Sequence, residues 1–315
     1  MTGRQISIFG GAHIDRRARI FGTTVPGSSN PGSWFEEAGG GGFNAARNLA
    51  RLGLDVRMIS PRGGDAAGET VAQAASEAGV IDCPFIFLDR KTPSYTAILE
   101  NDGNLVIALA DMELYRLFSP RRLQQRAMRE IVSSSDLIVI DANLPEETLA
   151  GLIIRANAES KPIAAIAISP AKVARLVKCL SGLDFLFMNE AEARALTGCD
   201  SAEAAEWPVL LQAAGLSGGV ITRGGKSAIA FQDGRTVMVA PPQLDALSDV
   251  TGAGDSLAAG FLSAFVEGEP IDVCLRSGVA AAGITVRSPL AVSEKMSRAM
   301  LDEAIRLVPP AEILS

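Results

Sequence analysis

Six short apolar runs, at residues 6–9, 56–60, 137–140, 163–168, 185–188 and 220–222, recur along this chain. Segments of helical character lie between them at 44–52, 69–78, 121–131, 146–157 and 202–213. Each run is closed by turn or helix-start residues, the pattern of a strand buried on both faces. Such strands need crossover helices, so the alternation predicts an α/β fold with a mostly parallel sheet covered on both sides, a three-layer α/β/α core. Runs at 227–231 and 236–240, joined across Asp233-Gly234, predict a late hairpin, and helices dominate from 255 to 307. With 315 residues, 48% of them hydrophobic and 21% charged, the chain can form this core as one large domain over 1–315 with an appendage.

The appendage is predicted where the rhythm breaks. Residues 14–38 contain Pro26-Gly27-Ser28-Ser29-Asn30-Pro31-Gly32, too turn-rich for a crossover helix, and 94–100 and 104–110 read as two strands about Asn101-Asp102-Gly103. Together, over about 14–38 and 92–112, they predict a small β lid above the carboxyl ends of the core strands, where open α/β sheets bind ligands.

Late in the chain, Asp249-Val250-Thr251-Gly252-Ala253-Gly254-Asp255-Ser256 runs into the apolar stretch Leu257-Ala258-Ala259-Gly260. Glycines let successive N–H groups converge, and a helix start adds unpaired donors and a positive dipole end, so an anion can settle there. Asp255 beside an anion hole needs a task, and taking a proton from an attacking hydroxyl is one. Read alone, the octet also fits an aspartate capping a helix.

Other chemistries find little support. A net charge of −7 with dispersed Lys and Arg argues against a nucleic-acid surface. Cys83, Cys179, Cys199 and Cys274 are far apart with no C-x-x-C pair, and neither an export signal nor an 18-residue apolar stretch is present, so a cytoplasmic protein without a membrane span is expected. The glycine run Gly39-Gly40-Gly41-Gly42 opens a helix at Asn44 but lacks dinucleotide spacing, and no Walker motif occurs.

Four motifs in order, Gly39-Gly40 with Asn44, Asn189-Glu190-Ala191-Glu192, Thr222-Arg223-Gly224-Gly225 and Thr251-Gly252-Ala253-Gly254-Asp255, resemble those of the ribokinase-like (PfkB) carbohydrate and nucleoside kinases across essentially the whole chain. The resemblance implies a ribokinase-like fold and transfer of phosphate from ATP to a small-molecule hydroxyl. It implies Asp255 as the base, with Gly252, Ala253 and Gly254 as the anion hole and the N–H groups of Ala253 and Gly254 on the phosphoryl oxygens. It places Asp15, Gly40 and Asn44 on sugar hydroxyls, and Thr222, Gly224, Gly225 and Thr251 on the nucleotide, with the small residues of 280–283 against adenine. Asn189 and Glu192 would organise a hydrated Mg²⁺, and Asp249 a monovalent cation such as K⁺.

Ser29-Asn30-Pro31-Gly32, Thr92-Pro93-Ser94-Tyr95, Ala110-Asp111-Met112 and Asp141-Ala142-Asn143-Leu144-Pro145-Glu146-Glu147 look like the corresponding stretches of pseudouridine kinases. That implies phosphorylation of the nucleoside 5′-hydroxyl and adds Asn30, Tyr95, Asp111 and Asn143 to the substrate contacts. Another nucleoside or a pentose (ribose, adenosine, inosine) is the alternative acceptor, and a nucleoside-binding protein without transfer a lesser one. His13, Phe43, Ser169, Ser227 and Phe187-Met188 depart from the family pattern; His13 and Phe43 are expected to flank the sugar pocket. Lid edges in this family pair between subunits, which implies a homodimer.

Overall fold

The computed structural model describes residues 3–200, 203–243 and 250–314. The first part of the chain runs β1 (Gln5–Phe9), β2 (His13–Ile20), β3 (Gly32–Gly39), α1 (Gly41–Arg51), β4 (Asp55–Ile59), β5 (Pro61–Gly63), α2 (Ala66–Ala78), β6 (Ile81–Asp82), β7 (Phe85–Phe87), β8 (Ser94–Leu99), β9 (Leu105–Asp111) and α3 (Arg126–Ser134). It continues through β10 (Leu137–Asp141), α4 (Glu146–Ala158), β11 (Ile163–Ile166), α5 (Pro170–Val173), β12 (Phe185–Asn189), α6 (Glu190–Thr197) and α7 (Glu206–Ala213). The last part is β13 (Gly218–Arg223), β14 (Lys226–Gln232), β15 (Arg235–Val239), α8 (Ala253–Phe265), α9 (Ile271–Thr285), α10 (Arg298–Ile305) and β16 (Glu312–Ile313).

Ten strands make one sheet in the order β16-β15-β14-β13-β12-β11-β10-β1-β4-β6. Every pairing from β13 to β6 is parallel, and only the β14, β15 and β16 pairings are antiparallel. The strands are buried on both faces because successive side chains enter different cores: Leu137 and Val139 of β10 join one cluster, Ile138 and Ile140 the other. The chain leaves β1 toward β4 on one side and returns to β10 on the other, so the crevice beyond the carboxyl ends of β1 and β10 is the topological switch point.

A separate four-stranded sheet, ordered β3-β2-β8-β9, rises from that crevice. Its β2 pairs antiparallel with β3 and parallel with β8, and β9 forms the outer edge, exposed along its whole length.

The helix expected over 121–131 is interrupted. Pro120 starts a short 3₁₀ turn, Pro120–Gln124, and Gln125 is extended (φ −65°, ψ 143°) before α3 begins. The run expected over 163–168 stops at Ile166, because Ile168 turns out of the strand with φ 70°. The segment at 202–213 begins at Glu206 as α7; residues 201–202 lie outside the described residues.

Candidate active site

The crevice is organised by a buried carboxylate that ends β10. Asp141 has no exposed surface, and its Oδ2 accepts from the N–H groups of Gly11 (2.8 Å) and Gly42 (3.0 Å), while Oδ1 accepts from Asn143 N (2.9 Å). One carboxylate thus ties the turn after β1, the start of α1 and its own strand end together. Gly40 makes the bend from β3 into α1 at φ 110°, where an added Cβ would stand 2.4 Å from the Gly11 carbonyl oxygen. Gly40 therefore acts through its backbone.

Asp255 lies in the first turn of α8, whose N-cap is Gly252 at φ 76°. Ala253 N–H donates to Val250 O (3.2 Å), so the free donors at this helix start are one residue later than expected: Gly254 and Asp255 N–H have no acceptor among the described residues. The Asp255 carboxyl is pushed up to about 7, chiefly by burial. A hydrogen bond from Asn44 opposes this, the nearby charges of Asp141 and Asp15 add to it, and Arg47 opposes it. A base near 7 suits removal of a hydroxyl proton at neutral pH.

Asn44 donates from Nδ2 to Asp255 Oδ2 (2.8 Å) and accepts at Oδ1 from Arg47 Nη2 (2.7 Å). Its amide, expected on a sugar hydroxyl, here links α1 to Asp255.

On the lid side, Asp15 of β2 faces His13, whose Nε2 is 3.2 Å from Asp15 Oδ1 and whose Nδ1 lies 2.8 Å from the Tyr115 hydroxyl. Tyr115 is fully buried, and burial raises its phenol well above the usual value, so it stays protonated. Tyr95 pairs in register with Asp15 and shares its face of the lid. Asp111 pairs with Ser94, which pairs with Ile14, so the register puts it on the opposite face, away from Asp15. Asn30 is also outside the site. Its Oδ1 accepts from Val25 N (2.8 Å) and its Nδ2 donates to Val25 O (3.0 Å) and Ser28 O (3.1 Å), closing a turn at the far end of β2. Asn143 is buried, donating to Asp141 Oδ2 (3.1 Å) and accepting from Lys172 Nζ (2.6 Å), which makes it a support. Phe43 does not flank the pocket: it is fully buried in the core, with the Arg47 guanidinium 4.8 Å from its ring centroid.

On the other side of Asp255 a cavity of about 170 Å³ is walled by Asp255, Gly254, Asn189, Glu192, Thr222 and apolar neighbours that include Phe187 and Met188. It shares Thr222 and Gly254 with a larger cavity of about 500 Å³, bounded by Gly224, Gly225, Lys226, Pro241, Pro242, Val279, Ala282 and Gly283. Small apolar walls that open onto a helix N-terminus fit a nucleotide, base against the walls and phosphates at the donors. Ala280 and Ala281, by contrast, are buried in helix packing.

Asn189 and Glu192 cap α6 reciprocally: Glu192 N donates to Asn189 Oδ1 (3.0 Å) and Asn189 N to Glu192 Oε2 (2.7 Å). Among the described residues no group of three His, Cys, Asp or Glu could encage a metal. One buried carboxylate beside the cavity fits a hydrated Mg²⁺ held through water, the mode that ion favours. Thr251 is exposed just before the Gly252 turn, and Asp249 lies outside the described residues.

Asp141, Arg47, Tyr115 and Lys172 take their places at the site only through the fold. Only Asp141 carried a signal, as a charge closing the otherwise apolar strand Leu-Ile-Val-Ile-Asp.

Residues 5–297 match the pfkB family of carbohydrate kinases. The chain is 30% identical to a pseudouridine kinase of Escherichia coli over 280 residues, covering 86% of this chain and 87% of that one. A solved carbohydrate kinase from Agrobacterium tumefaciens superposes with a TM-score of 0.89 at 58% identity, over 99% of this chain and 100% of its own. An Arabidopsis thaliana ribokinase, solved with ribose and ATP, shares the fold at 21% identity with a TM-score of 0.85, over 97% and 99% of the two chains.

Proposed function

We propose that this chain, which belongs to the pfkB family of carbohydrate kinases, phosphorylates the 5′-hydroxyl of a nucleoside, with pseudouridine as the acceptor. Membership makes it a phosphotransferase that uses ATP and a sugar or nucleoside hydroxyl. The observation that carries the proposed geometry is the position of Asp255, with Asp15 and Asn44 on its lid side and the two linked cavities on the other.

When bound, ATP supplies the phosphoryl group and Mg²⁺ neutralises its β- and γ-oxygens. The protein's part is positioning and charge. Asp255 takes the proton of the attacking hydroxyl on Oδ1, since Asn44 occupies Oδ2. The N–H groups of Gly254 and Asp255 meet the charge that develops on the transferring group. Asp15, oriented by His13, accepts from sugar hydroxyls through its remaining oxygen. Glu192 and Asn189 would hold a hydrated ion through water, and Thr222, Gly224 and Gly225 would line the phosphates.

The lid face opposite Asp15 carries exposed Trp34, Ile107 and Leu109, and a second copy of the chain is proposed to cover it. Light scattering at micromolar protein should give twice the monomer mass.

ADP release measured with pseudouridine, uridine, adenosine, inosine, ribose and fructose 6-phosphate tests the acceptor. Saturation at micromolar pseudouridine is expected. A clear preference for another compound overturns the acceptor, and binding of nucleoside and ATP with no ADP overturns transfer. A pentose or another nucleoside is the second reading, because His13, which departs from the family pattern, sets Asp15 beside the acceptor.

A further inference from the structure

We infer that Arg47 is a positioning residue for the phosphoryl-transfer base: its guanidinium fixes the Asn44 amide so that Nδ2, and not Oδ1, faces Asp255. The inference rests on Asp255 being the base.

Arg47 sits one turn after Asn44 on α1, with only 9% of its surface exposed. Its Nη2 donates both to Asn44 Oδ1 (2.7 Å) and to Ala38 O (2.7 Å), near the root of the lid strand β3. An asparagine amide is nearly symmetric in shape, so which end meets a carboxylate is decided by what the other end meets. A guanidinium has donors only, so it can accept nothing from an amide NH₂. With Arg47 in place, the flipped amide would set NH₂ against N–H donors and its carbonyl oxygen against the Asp255 carboxylate, two repulsive contacts instead of two hydrogen bonds. Nε of Arg47 has no hydrogen-bond partner among the described residues, an unusual expense for a buried cation. A purely structural residue here would be better apolar, since its neighbours Phe43, Ala46 and Ala50 are.

The charges around the base make its position matter. Asp255 is faced by Asp141 from β10 and Asp15 from β2, with Glu192 from α6 on the wall of the shared cavity. Among the described residues Arg47 is the cation that lowers the Asp255 carboxyl directly, less strongly than the hydrogen bond from Asn44 that it orients. Burial lowers the Arg47 guanidinium to about 10, with Glu37, Asp15 and Asp255 working against this and Arg51 adding to it, so it stays charged at neutral pH. Loss of that charge leaves the carboxylates to repel one another and frees the Asn44 amide to turn.

Arg47→Met, Arg47→Lys and Asp255→Asn are compared with wild type, using whichever of pseudouridine, uridine, adenosine, inosine or ribose the wild type turns over best. The readouts are kcat and KM across pH 5.5–9 and a thermal melt. Arg47→Met should lower kcat at pH 7 about tenfold and move the acidic limb of the kcat profile upward by about one pH unit, with KM for ATP little changed. Arg47→Lys should keep the limb in place while recovering only part of kcat, because one ammonium cannot reproduce the guanidinium's geometry. An unmoved limb in Arg47→Met, with kcat reduced only in proportion to folded protein, overturns the inference. If Arg47→Met does not fold, wild-type kcat in Arg47→Lys overturns it. Asp255→Asn separates the two claims: if it still turns over, the base assignment has failed, whereas an inactive Asp255→Asn beside an unmoved limb condemns Arg47 alone.

Discussion

Gly252→Ala is the substitution whose effect can be worked most directly from the structure. Gly252 holds φ 76°, and a Cβ built there would lie 2.0 Å from the carbonyl oxygen of Ala291 and 2.8 Å from its carbon. The backbone conformation alone costs an alanine about 1 kcal/mol. The contact cannot be relieved by a rotamer, since the obstructing atoms are main chain. Relief from 2.0 Å to an ordinary separation of about 3.4 Å needs the start of α8 and the chain at Ala291 to part by about 1.4 Å. Gly254, Asp255 and their N–H groups move with the helix start, and a misplacement of that size at a reacting centre costs on the order of 100-fold in rate. The loss should fall on kcat, because the acceptor contacts on β2 and the apolar nucleotide walls are elsewhere. Steady-state kinetics with a urea melt would measure both parts, with about 2–4 kcal/mol of stability lost from the backbone conformation and the clash together. Wild-type kcat in a folded Gly252→Ala protein would refute the claim that the close approach of α8 to Ala291 sets the site.

The raised Asp255 carboxyl also predicts a stability change. Its folded value of about 7 lies above the ordinary 3.8, so the folded state holds this proton more tightly; that contribution is complete below about pH 4 and is lost as pH rises through 7. Asp255→Asn should therefore be more stable than wild type by about 2 kcal/mol at pH 8, allowing for partial exposure, and by much less at pH 5; equal differences at both pH values in urea melts contradict the burial argument. Asp141→Ala leaves the N–H donors of Gly11, Gly42 and Asn143 unpaired inside the protein, and about 3 kcal/mol should be lost in the same melts. A loss under 1 kcal/mol would mean that water or another acceptor replaces the carboxylate.

Much of the architecture could be read in advance because it is written in local pattern. Apolar runs with helical segments between them specify strands buried on both faces, and glycine followed by Asp255 at the mouth of an apolar helix specifies donors beside an acid. The lid strands were visible for the same reason, as turn-rich breaks in a regular rhythm. Residue roles were harder. Asn30 and Asp111 sit in suggestive stretches, yet one spends its amide on its own turn and the other lies on the far face of the lid, which pairing register decides. Asn44 has the composition of a sugar ligand, but Arg47 and Asp255 claim both ends of its amide.

By itself the sequence determined the layers and put an acid at a glycine-rich helix start, since each depends on residues within a turn or two of one another. Tertiary structure alone decided what surrounds that acid. The bonds that do so join residues 211 apart between Asn44 and Asp255, 130 apart between Gly11 and Asp141, and 102 apart between His13 and Tyr115. No local period carries such pairings, because they exist only once the parallel sheet has brought the ends of β1, β10 and α8 together. The chain spells out a glycine-rich turn with an acid at the helix mouth, and the fold supplies the burial and neighbouring charges that raise the Asp255 carboxyl.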